Sequence, residues 1–295
     1  MLLIVGEAIV AYQRDIGADG SHADAPYTGP WPSGSPPIAA YVAGRLGVPT
    51  VFVGGIGRDG HGKVMADGLA AGSVVIDHLA VADDAPTATA YITYRGEARE
   101  FDFRVAGTAA TLVTERSLGD LPERADWVHM SGSALIFGEP LAETTLSALR
   151  RARAAGARIS VDPNVRPEAL DSSARTALIE VLELAHVLLP SEGELAALGV
   201  DAFSLVAGGA TVCTTLGSGG ATVTDESGST HIDALSVTPV DTDGAGDSFA
   251  AGFIAAALAG AGPVDAARAG ARVAAAAIQT EGPMTVVPDA GLLAR

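Results

Sequence analysis

The sequence has few of the residues that mark secreted, nucleic-acid-binding or membrane-spanning proteins. Its one cysteine, Cys213, lies in an apolar run, so the chain can form no internal disulfide and fits a reducing, cytoplasmic compartment. Basic residues number 18 against 35 acidic ones, and the net charge of −17 disfavours nucleic acid and anionic membranes as partners. The run that comes closest to a membrane span, residues 249–262, is too short. The amino terminus lacks the basic residues of a signal peptide.

What the sequence does have is an alternation of short apolar runs and longer amphipathic stretches. This alternation is typical of strand–helix–strand units on a parallel sheet, so we predict an α/β fold. The predicted strands are residues 2–5, 50–53, 127–130, 157–161, 186–189 and 211–214. The predicted helices are residues 37–46, 61–71, 139–155, 173–184, 192–198, 247–259 and 265–280.

Two segments break this alternation. Residues 87–105 alternate apolar and polar side chains on both sides of a short turn, which predicts a hairpin with one solvated face. Residues 8–32 are partly extended and rich in glycine, proline and aspartate. We predict that residues 1–295 form one domain, in which about 8–32 and 87–105 make a small β-sheet lid over a cleft.

The stretch DTDGAGDSFAAGF, residues 241–253, places an acid where a helix begins. A helix amino terminus has unpaired N–H groups and favours anions, and Gly244 and Gly246 leave those groups open to a phosphate. A carboxylate there would repel a phosphate that was only bound. Asp247 therefore suggests a base that removes a proton from a hydroxyl during phosphoryl transfer. Its alternative role is that of a helix N-cap.

This stretch resembles the D-T-x-G-A-G-D-x-F signature of the ribokinase-like (PfkB-type) sugar kinases. Residues 44–62 resemble a second, glycine-rich signature of that family, and residues 189–195 resemble its N-x-x-E element, with Ser191 in place of asparagine. Residues 160–170, with DPNVR, are similar to the fructokinase and 2-keto-3-deoxygluconate kinase branches. The resemblance implies a three-layer α/β/α ribokinase-like fold with a mainly parallel central sheet and a small β-sheet lid.

The same resemblance implies roles for individual residues and for ATP and Mg²⁺ as cofactors. Asp247 matches the catalytic base of the family, and Gly244, Ala245 and Gly246 match its backbone anion hole. Glu194 matches a glutamate that helps to organise Mg²⁺ through water. Its alternative role is that of a solvated acid in the first turn of a helix.

The resemblance also implies residues that bind the nucleotide and a loop that binds a cation. The residues that match ATP-binding positions are Thr215, Gly217, Gly220, Asn164 and Arg166. Gly217 and Gly220 are alternatively turn glycines, and Arg166 alternatively a surface salt-bridge partner. Asp162, Asn164 and Arg166 follow the predicted strand 157–161 at its carboxyl end, the sheet edge where open α/β sheets bind ligands. Asp241 begins a loop that binds a monovalent cation such as K⁺ in some relatives.

At the positions where relatives bind the sugar, this chain departs from the family pattern. Many relatives carry an asparagine where this chain has Ile38, and fructokinases and ribokinases tend to carry an aspartate where it has Ala11. Neither replacement can hydrogen bond a sugar hydroxyl through its side chain, so the sequence does not name the sugar. The remaining candidates for substrate binding are Gln13, Ser33, Gly34, Ser35 and Arg104.

Arg104 aligns with an arginine of the keto-deoxy-sugar-acid and fructose branches, where it could hold a carboxylate or a hydroxyl-rich sugar. Its alternative role is a cross-strand pair with Glu97 or Glu100. We therefore predict ATP-dependent phosphorylation of a primary hydroxyl of a sugar or keto sugar acid. The alternatives are a nucleoside kinase and a non-catalytic sugar-binding paralogue. Small molecules are the expected partners, and the lid edge could pair two copies into a homodimer.

Overall fold

The computed structural model describes residues 1–96, 98–166, 170–286 and 288–294. The strands in chain order are β1 (Leu2–Val5), β2 (Ile9–Asp15), β3 (Thr28–Ser33), β4 (Thr50–Val53), β5 (Gly55–Gly57), β6 (Ala80–Ala82), β7 (Ala88–Arg95), β8 (Ala98–Arg104), β9 (Trp127–Ser131), β10 (Arg158–Asp162), β11 (Val187–Leu188), β12 (Thr211–Thr215), β13 (Ala221–Asp225) and β14 (Gly228–Ile232). The α-helices are α1 (Ser35–Arg45), α2 (Gly60–Ala71), α3 (Glu115–Leu118), α4 (Leu121–Arg124), α5 (Ser133–Ile136), α6 (Leu141–Ala154), α7 (Ser172–Leu184), α8 (Glu194–Ala197), α9 (Ala202–Ala207), α10 (Ala245–Leu258) and α11 (Pro263–Ala277).

The central sheet of the described residues has eight strands in the order β14-β13-β12-β11-β10-β9-β1-β4. The pairs from β12 to β4 are parallel, and β13 and β14 are antiparallel at one edge. The six predicted central strands and the seven predicted helices are all present within three residues of their expected ends, and the shortest helix, predicted at 192–198, is the single turn of α8. We did not predict β13 and β14, whose threonine, serine and glycine content gives a weak apolar pattern.

Helices cover both faces of this sheet because its buried strands carry apolar side chains on both faces. Leu2, Ile4 and Phe52 belong to a core shared with α1, α10 and α11, and Cys213 is buried in it. Leu3 and Val53, whose side chains point to the opposite face, belong to a second core shared with α6 and α7. The α/β/α layering predicted from the resemblance is therefore confirmed. Within the described residues, no helix is both long and apolar enough to cross a bilayer.

A separate sheet has the strand order β3-β2-β7-β8. Its strands come from the two segments that broke the alternation, and β7 and β8 form the predicted hairpin. β8 is an exposed edge strand, whereas β7 alternates between buried and partly buried residues. β2 begins at Ile9, only a few residues after β1 ends at Val5, so this sheet lies next to the carboxyl edge of the central sheet.

Candidate active site

A cavity of about 290 Å³ lies where the carboxyl edge of the central sheet, the amino termini of α1 and α10, and the small sheet meet. Nine of the sequence-predicted site residues line it: Ser33, Gly34, Ser35, Asn164, Arg166, Glu194, Gly244, Gly246 and Asp247. Seven others are not among the described residues that form its wall: Gln13, Arg104, Thr215, Gly217, Gly220, Asp241 and Ala245. The tertiary structure thus brings together residues from positions 33 to 247 at one edge of the sheet.

Asp247 lies in the first turn of α10, but it does not cap that helix. The N-cap is Gly244, in the left-handed conformation with φ 75°, and no side chain caps the helix. The Asp247 carboxylate instead accepts a hydrogen bond from the hydroxyl of Ser35, the first residue of α1. The N-cap alternative for Asp247 is therefore wrong, and its carboxylate faces the cavity.

The environment of Asp247 favours its neutral form. Burial raises the pKa of this carboxyl to about 7, and the nearby charge of Asp243 contributes in the same direction. The hydrogen bond from Ser35 and the charge of Arg166 act against that rise in pKa. A carboxyl group with a pKa near neutrality can both take up and release a proton at physiological pH, which is the property that a general base needs.

Two helix amino termini converge beside Asp247. The first-turn N–H groups of α10 have no acceptor within their own helix and carry partial positive charge, whereas α1 supplies only the N–H of Ser35 there, because Pro36 and Pro37 have none. Gly246 would place a Cβ in open space, so its backbone is accessible from the cavity. At Gly244 a Cβ would come within 3.0 Å of Ile38, and its positive φ also favours glycine. The arrangement offers donors to an anion next to a potential base.

Asp162 and Glu194 form an acidic pair in the cavity wall. Burial, together with the charges of Glu194 and Asp247, raises the pKa of Asp162 well above its usual value, and burial also raises that of Glu194. Glu194 accepts hydrogen bonds from the N–H groups of Val165 (2.7 Å) and Ser191 (2.8 Å), which join two loops. Mg²⁺ is usually held by one or two carboxylates plus phosphates and water, so this pair fits Mg²⁺.

Glu7 was not predicted, and it is the most deeply buried acid of the cavity wall, with 1% of its surface exposed. Burial raises its pKa to about 7, opposed mainly by a hydrogen bond from the Ser133 hydroxyl at 2.7 Å. Ser131 links Ser133 to the Asn164 side chain, with distances of 2.8 and 2.9 Å. Asn164 is thus tied to the interior of the protein. In the sequence Glu7 looks like any acid in a loop, because the residues that it contacts in the fold are distant in the chain.

Arg166 is a cationic group among these carboxylates. It lines the cavity, and its guanidinium carbon lies 5.4 Å from the centre of the Phe101 ring. Its charge lowers the pKa values of Glu7, Asp162, Glu194 and Asp247. The residues immediately after it, 167–169, lie outside the described part of the chain.

At the substrate end the two arginines of β8 lie on opposite faces. Arg104 is exposed, bonded to Asp102 at 3.1 Å and placed 4.9 Å above the ring of Tyr91. Arg99, which we did not predict, lines the cavity and donates to the Thr242 hydroxyl. Of the two acids expected to pair with Arg104, Glu100 pairs with Arg95 and Glu97 lies outside the described residues.

Gln13 acts through Asp243 and does not line the cavity itself. Its side-chain amide donates to Asp243 at 3.2 Å, and the Ser33 hydroxyl donates to the same oxygen at 3.5 Å. Burial and the charge of Asp241 raise the pKa of Asp243 to about 6. Asp241 itself accepts hydrogen bonds from the Tyr94 hydroxyl (2.9 Å) and from the N–H groups of Asp243 (2.9 Å) and Gly282 (3.1 Å).

The residues expected to contact ATP lie near the neighbouring strand ends. The Thr215 carbonyl accepts from the N–H of Glu192 at 3.0 Å, and its hydroxyl donates to Ser191, a cavity residue, at 3.4 Å. Gly217 has φ 56° and would place a Cβ in open space. Gly220 approaches β14 so closely that a Cβ would lie 2.0 Å from the Ile232 carbonyl oxygen. Close packing therefore explains why this residue is a glycine.

Comparison with known proteins places this arrangement in a family. Residues 1–290 match the family described as pfkB family carbohydrate kinase. A fructokinase from Salmonella typhimurium is 34% identical over 249 residues, which is 79% of each chain. A probable fructokinase from Arabidopsis thaliana, fructokinase-7, is 31% identical over 268 residues, 86% of this chain and 78% of that one.

Solved structures give the same result at the level of the fold. A putative ribokinase II from E. coli, in complex with ATP and Mg²⁺, has a TM-score of 0.90 at 29% identity, covering 99% of this chain and 97% of that one. A fructokinase from Vibrio cholerae O395, with fructose, ADP and calcium ion bound, has a TM-score of 0.85 at 26% identity, with 99% and 97% coverage.

Proposed function

This chain belongs to the pfkB family of carbohydrate kinases, and we propose that Asp247 is the general base with which it phosphorylates a primary hydroxyl. The phosphoryl donor is ATP, which the similar E. coli ribokinase II binds together with Mg²⁺. The acceptor is a sugar-like alcohol, because the most similar relatives described above are fructokinases.

One observation carries this proposal. The Asp247 carboxylate, whose pKa is raised to about 7, faces the same cavity as the first turn of α10, whose N–H groups have no acceptor within the helix. In the proposed reaction Asp247 accepts the proton of the substrate hydroxyl as the oxygen attacks the γ-phosphorus of ATP, and the bond from that phosphorus to the β-phosphate oxygen breaks so that ADP leaves. The N–H groups near Gly244, Ala245 and Gly246 then stabilise the charge on the transferring group, and Arg166 adds a positive charge.

Mg²⁺ would supply positive charge at the phosphates, and Asp162 and Glu194 would hold it. Thr215 and Gly217 would border the nucleotide, because they lie at the strand ends next to Ser191. The small sheet would act as the lid, since Arg99 and Phe101 on β8 already line the cavity. Its closure would exclude water, which would otherwise compete with the substrate hydroxyl for the phosphoryl group.

Two other hypotheses, a keto sugar acid as acceptor and a non-catalytic sugar-binding role, have less support. A keto sugar acid would need a cation for its carboxylate, and the expected Arg104 is exposed and bonded to Asp102, so that Arg99, which lines the cavity, would have to take its place. A non-catalytic sugar-binding role would leave the Asp247 carboxylate, beside the helix amino terminus, without a function. A cytoplasmic location and a homodimer formed through the exposed edge strand β8 belong to the same proposal.

The test is Asp247→Asn, which keeps the size of the side chain and an oxygen that can accept from Ser35. We expect kcat to fall about 10²- to 10⁴-fold, the range attributed to general bases. ATP affinity, measured by titration calorimetry, should be nearly unchanged. Asp201→Asn, at the N-cap of α9, is the matched control and should keep full activity. An Asp247→Asn enzyme with more than a tenth of the wild-type kcat would remove Asp247 from the role of base.

A further inference from the structure

A chain of hydrogen bonds joins Glu7 to Asn164, two residues of the cavity wall. The Ser133 hydroxyl donates to Glu7 Oε1 at 2.7 Å, and the hydroxyl oxygens of Ser133 and Ser131 are 2.8 Å apart. The side-chain Nδ2 of Asn164 donates to the Ser131 hydroxyl oxygen at 2.9 Å. We call these four residues the polar chain. It links the carboxyl ends of β1, β9 and β10, which are adjacent in the central sheet.

The two serines of the polar chain are shielded from water. Ser131 and Ser133 are 0% and 5% exposed. Between them, a Cβ on Gly132 would lie 2.0 Å from the Pro163 carbonyl oxygen, so residues 131–133 pack directly against the turn that carries Asn164. Buried hydroxyl groups take their hydrogen-bond partners from the protein. The polar chain is therefore a fixed part of the structure.

The acid at one end sets the direction of every hydrogen bond in the polar chain. Glu7 Oε1 only accepts, so Ser133 gives it the one hydrogen of its hydroxyl. The Ser133 oxygen must then accept from Ser131, which uses the one hydrogen of that hydroxyl in turn. The Ser131 oxygen is thus left as an acceptor. The group of Asn164 that faces it is consequently the NH₂ and not the oxygen.

Asn164 is also held through its backbone. Its φ is 40°, in the left-handed region, and its N–H donates to Asp162 Oδ1 at 2.9 Å. The side-chain oxygen Oδ1 is the part of the amide that remains, and it bonds to no residue that the structure describes. Because Asn164 lines the cavity, Oδ1 is available to accept a hydrogen bond from a ligand.

Stability does not explain the Glu7 carboxyl. Its second oxygen, Oε2, is buried and has no hydrogen-bond partner among the described residues. A buried oxygen without a donor destabilises a fold, and an apolar side chain of similar size would avoid that cost. What an apolar side chain would not provide is the acceptor that directs the polar chain.

We propose that Glu7 is a positioning residue that, through Ser133 and Ser131, holds the Asn164 amide with Oδ1 facing the ligand. This inference rests on the proposed function and assigns further residues to the same site. Oδ1 binds an O–H donor, which is either a hydroxyl of the acceptor or a water molecule on Mg²⁺. An unprotonated phosphate oxygen is not its partner, because both atoms only accept.

The first experiment breaks the polar chain at Ser131, which is not among the described residues of the cavity wall. Ser131→Ala should raise either KM for the acceptor or the apparent Mg²⁺ constant about five- to tenfold, as expected for the loss of one ligand hydrogen bond. A change in KM identifies the donor as a hydroxyl, and a change in the Mg²⁺ constant identifies it as metal-bound water. Titration calorimetry with ATP and Mg²⁺ measures the second case without turnover.

The acceptor in these assays is whichever of fructose, ribose, 2-keto-3-deoxygluconate and adenosine gives the wild type its highest kcat/KM. Ser160→Ala is the matched control. Ser160 is also a fully buried serine of the central sheet, and its hydroxyl bonds to Trp127 (2.8 Å) and His129 (2.9 Å), but it does not belong to the cavity wall of the described residues. The control should lose thermal stability as Ser131→Ala does, with both constants unchanged.

The second experiment reverses the polar chain. Asn164→Asp places an acceptor at both ends, so the two serine oxygens face each other without a hydrogen between them, and kcat/KM should fall about tenfold. Adding Glu7→Gln supplies an NH₂ group that donates to Ser133, and the bonds can then run in the opposite direction and end on residue 164. The double variant should recover about fivefold in kcat/KM at pH 8. Glu7→Gln alone should give no gain.

The outcomes separate this inference from the proposed function. Equal KM and Mg²⁺ constants in Ser131→Ala and Ser160→Ala, in a protein whose turnover depends on Asp247, would overturn the inference and leave the proposed function intact. A double variant no more active than Asn164→Asp would also overturn it, and thermal melting verifies that each variant is folded. No Asp247-dependent ADP release with any of the four acceptors would reject the proposed function, and the inference with it.

Discussion

Asp247→Asn should make the folded protein more stable at alkaline pH, although we expect it to lower kcat about 10²- to 10⁴-fold. The structure holds the Asp247 carboxyl in an environment that raises its pKa from 3.8 to about 7, chiefly by burial. The folded state therefore binds this proton more tightly than the unfolded state does. The contribution of Asp247 to stability falls as the pH rises through the interval from about 4 to 7, and it is constant above that interval.

The magnitude follows from the same pKa values. A tenfold change in proton affinity corresponds to about 1.4 kcal/mol, so the rise from 3.8 to about 7 represents about 4 kcal/mol of lost stability above pH 7. Because Glu7, Asp162 and Asp243 share the cavity and can exchange protons with Asp247, we expect a measured gain of about 2–4 kcal/mol in the asparagine variant at pH 8. At pH 5 the gain should be less than half as large.

The assay is urea unfolding at pH 5 and at pH 8, followed by circular dichroism, for the wild type, Asp247→Asn and Asp201→Asn. The control replaces a helix N-cap, where asparagine serves as well as aspartate, so its free energy of unfolding should change by less than about 0.5 kcal/mol. An Asp247→Asn protein that is less stable than the wild type at pH 8 would refute the argument. The carboxylate would then be a stabilising structural group.

Two further predictions concern the same loop and helix. The kcat/KM should rise about tenfold per pH unit below pH 7 and level off above it, because Asp247 must be ionised to accept a proton. A kcat/KM that stays constant from pH 5.5 to 8 would contradict the role of Asp247 as base. Tyr94→Phe should lower the free energy of unfolding by about 1–3 kcal/mol, because Asp241 loses the hydroxyl donor at 2.9 Å. Tyr27→Phe, whose hydroxyl is 3.2 Å from Thr93, is the control, and equal urea midpoints for the two variants would show that the Asp241 bond adds nothing.

The sequence identified the features that depend only on residues close together in the chain. The order of strands and helices predicted the α/β layers, because each element carries its own apolar periodicity. Asp247 and its glycines are contiguous, and a helix start is a local structure, so the charge argument could be made without the fold. We did not predict β14 because an exposed edge strand does not need apolar side chains, and we did not predict β13 because the buried residues of this inner strand include alanine and threonine and give a weak apolar pattern.

The face of β8 that lines the cavity could not be predicted from its sequence alone. Arg99 and Arg104 are both arginines of one exposed strand, and we selected Arg104. The register with β7, which pairs Phe103 with Ala90 and Phe101 with Ile92, turns Arg99 toward the cavity and Arg104 away from it. A strand presents alternate residues to opposite faces, so a slip of one residue would exchange the two arginines.

Local sequence therefore determined the elements of this protein and the potential base at the start of α10. The tertiary structure determined the pKa of Asp247, the burial of Glu7 and the position of Phe101 and Phe103 in the cavity wall, because each depends on residues far apart in the chain. Burial raises a carboxyl pKa only when other segments exclude water from it, and here residues 35, 166 and 243 surround Asp247. Proximity of that kind is a property of the packed fold and has no local pattern in the sequence.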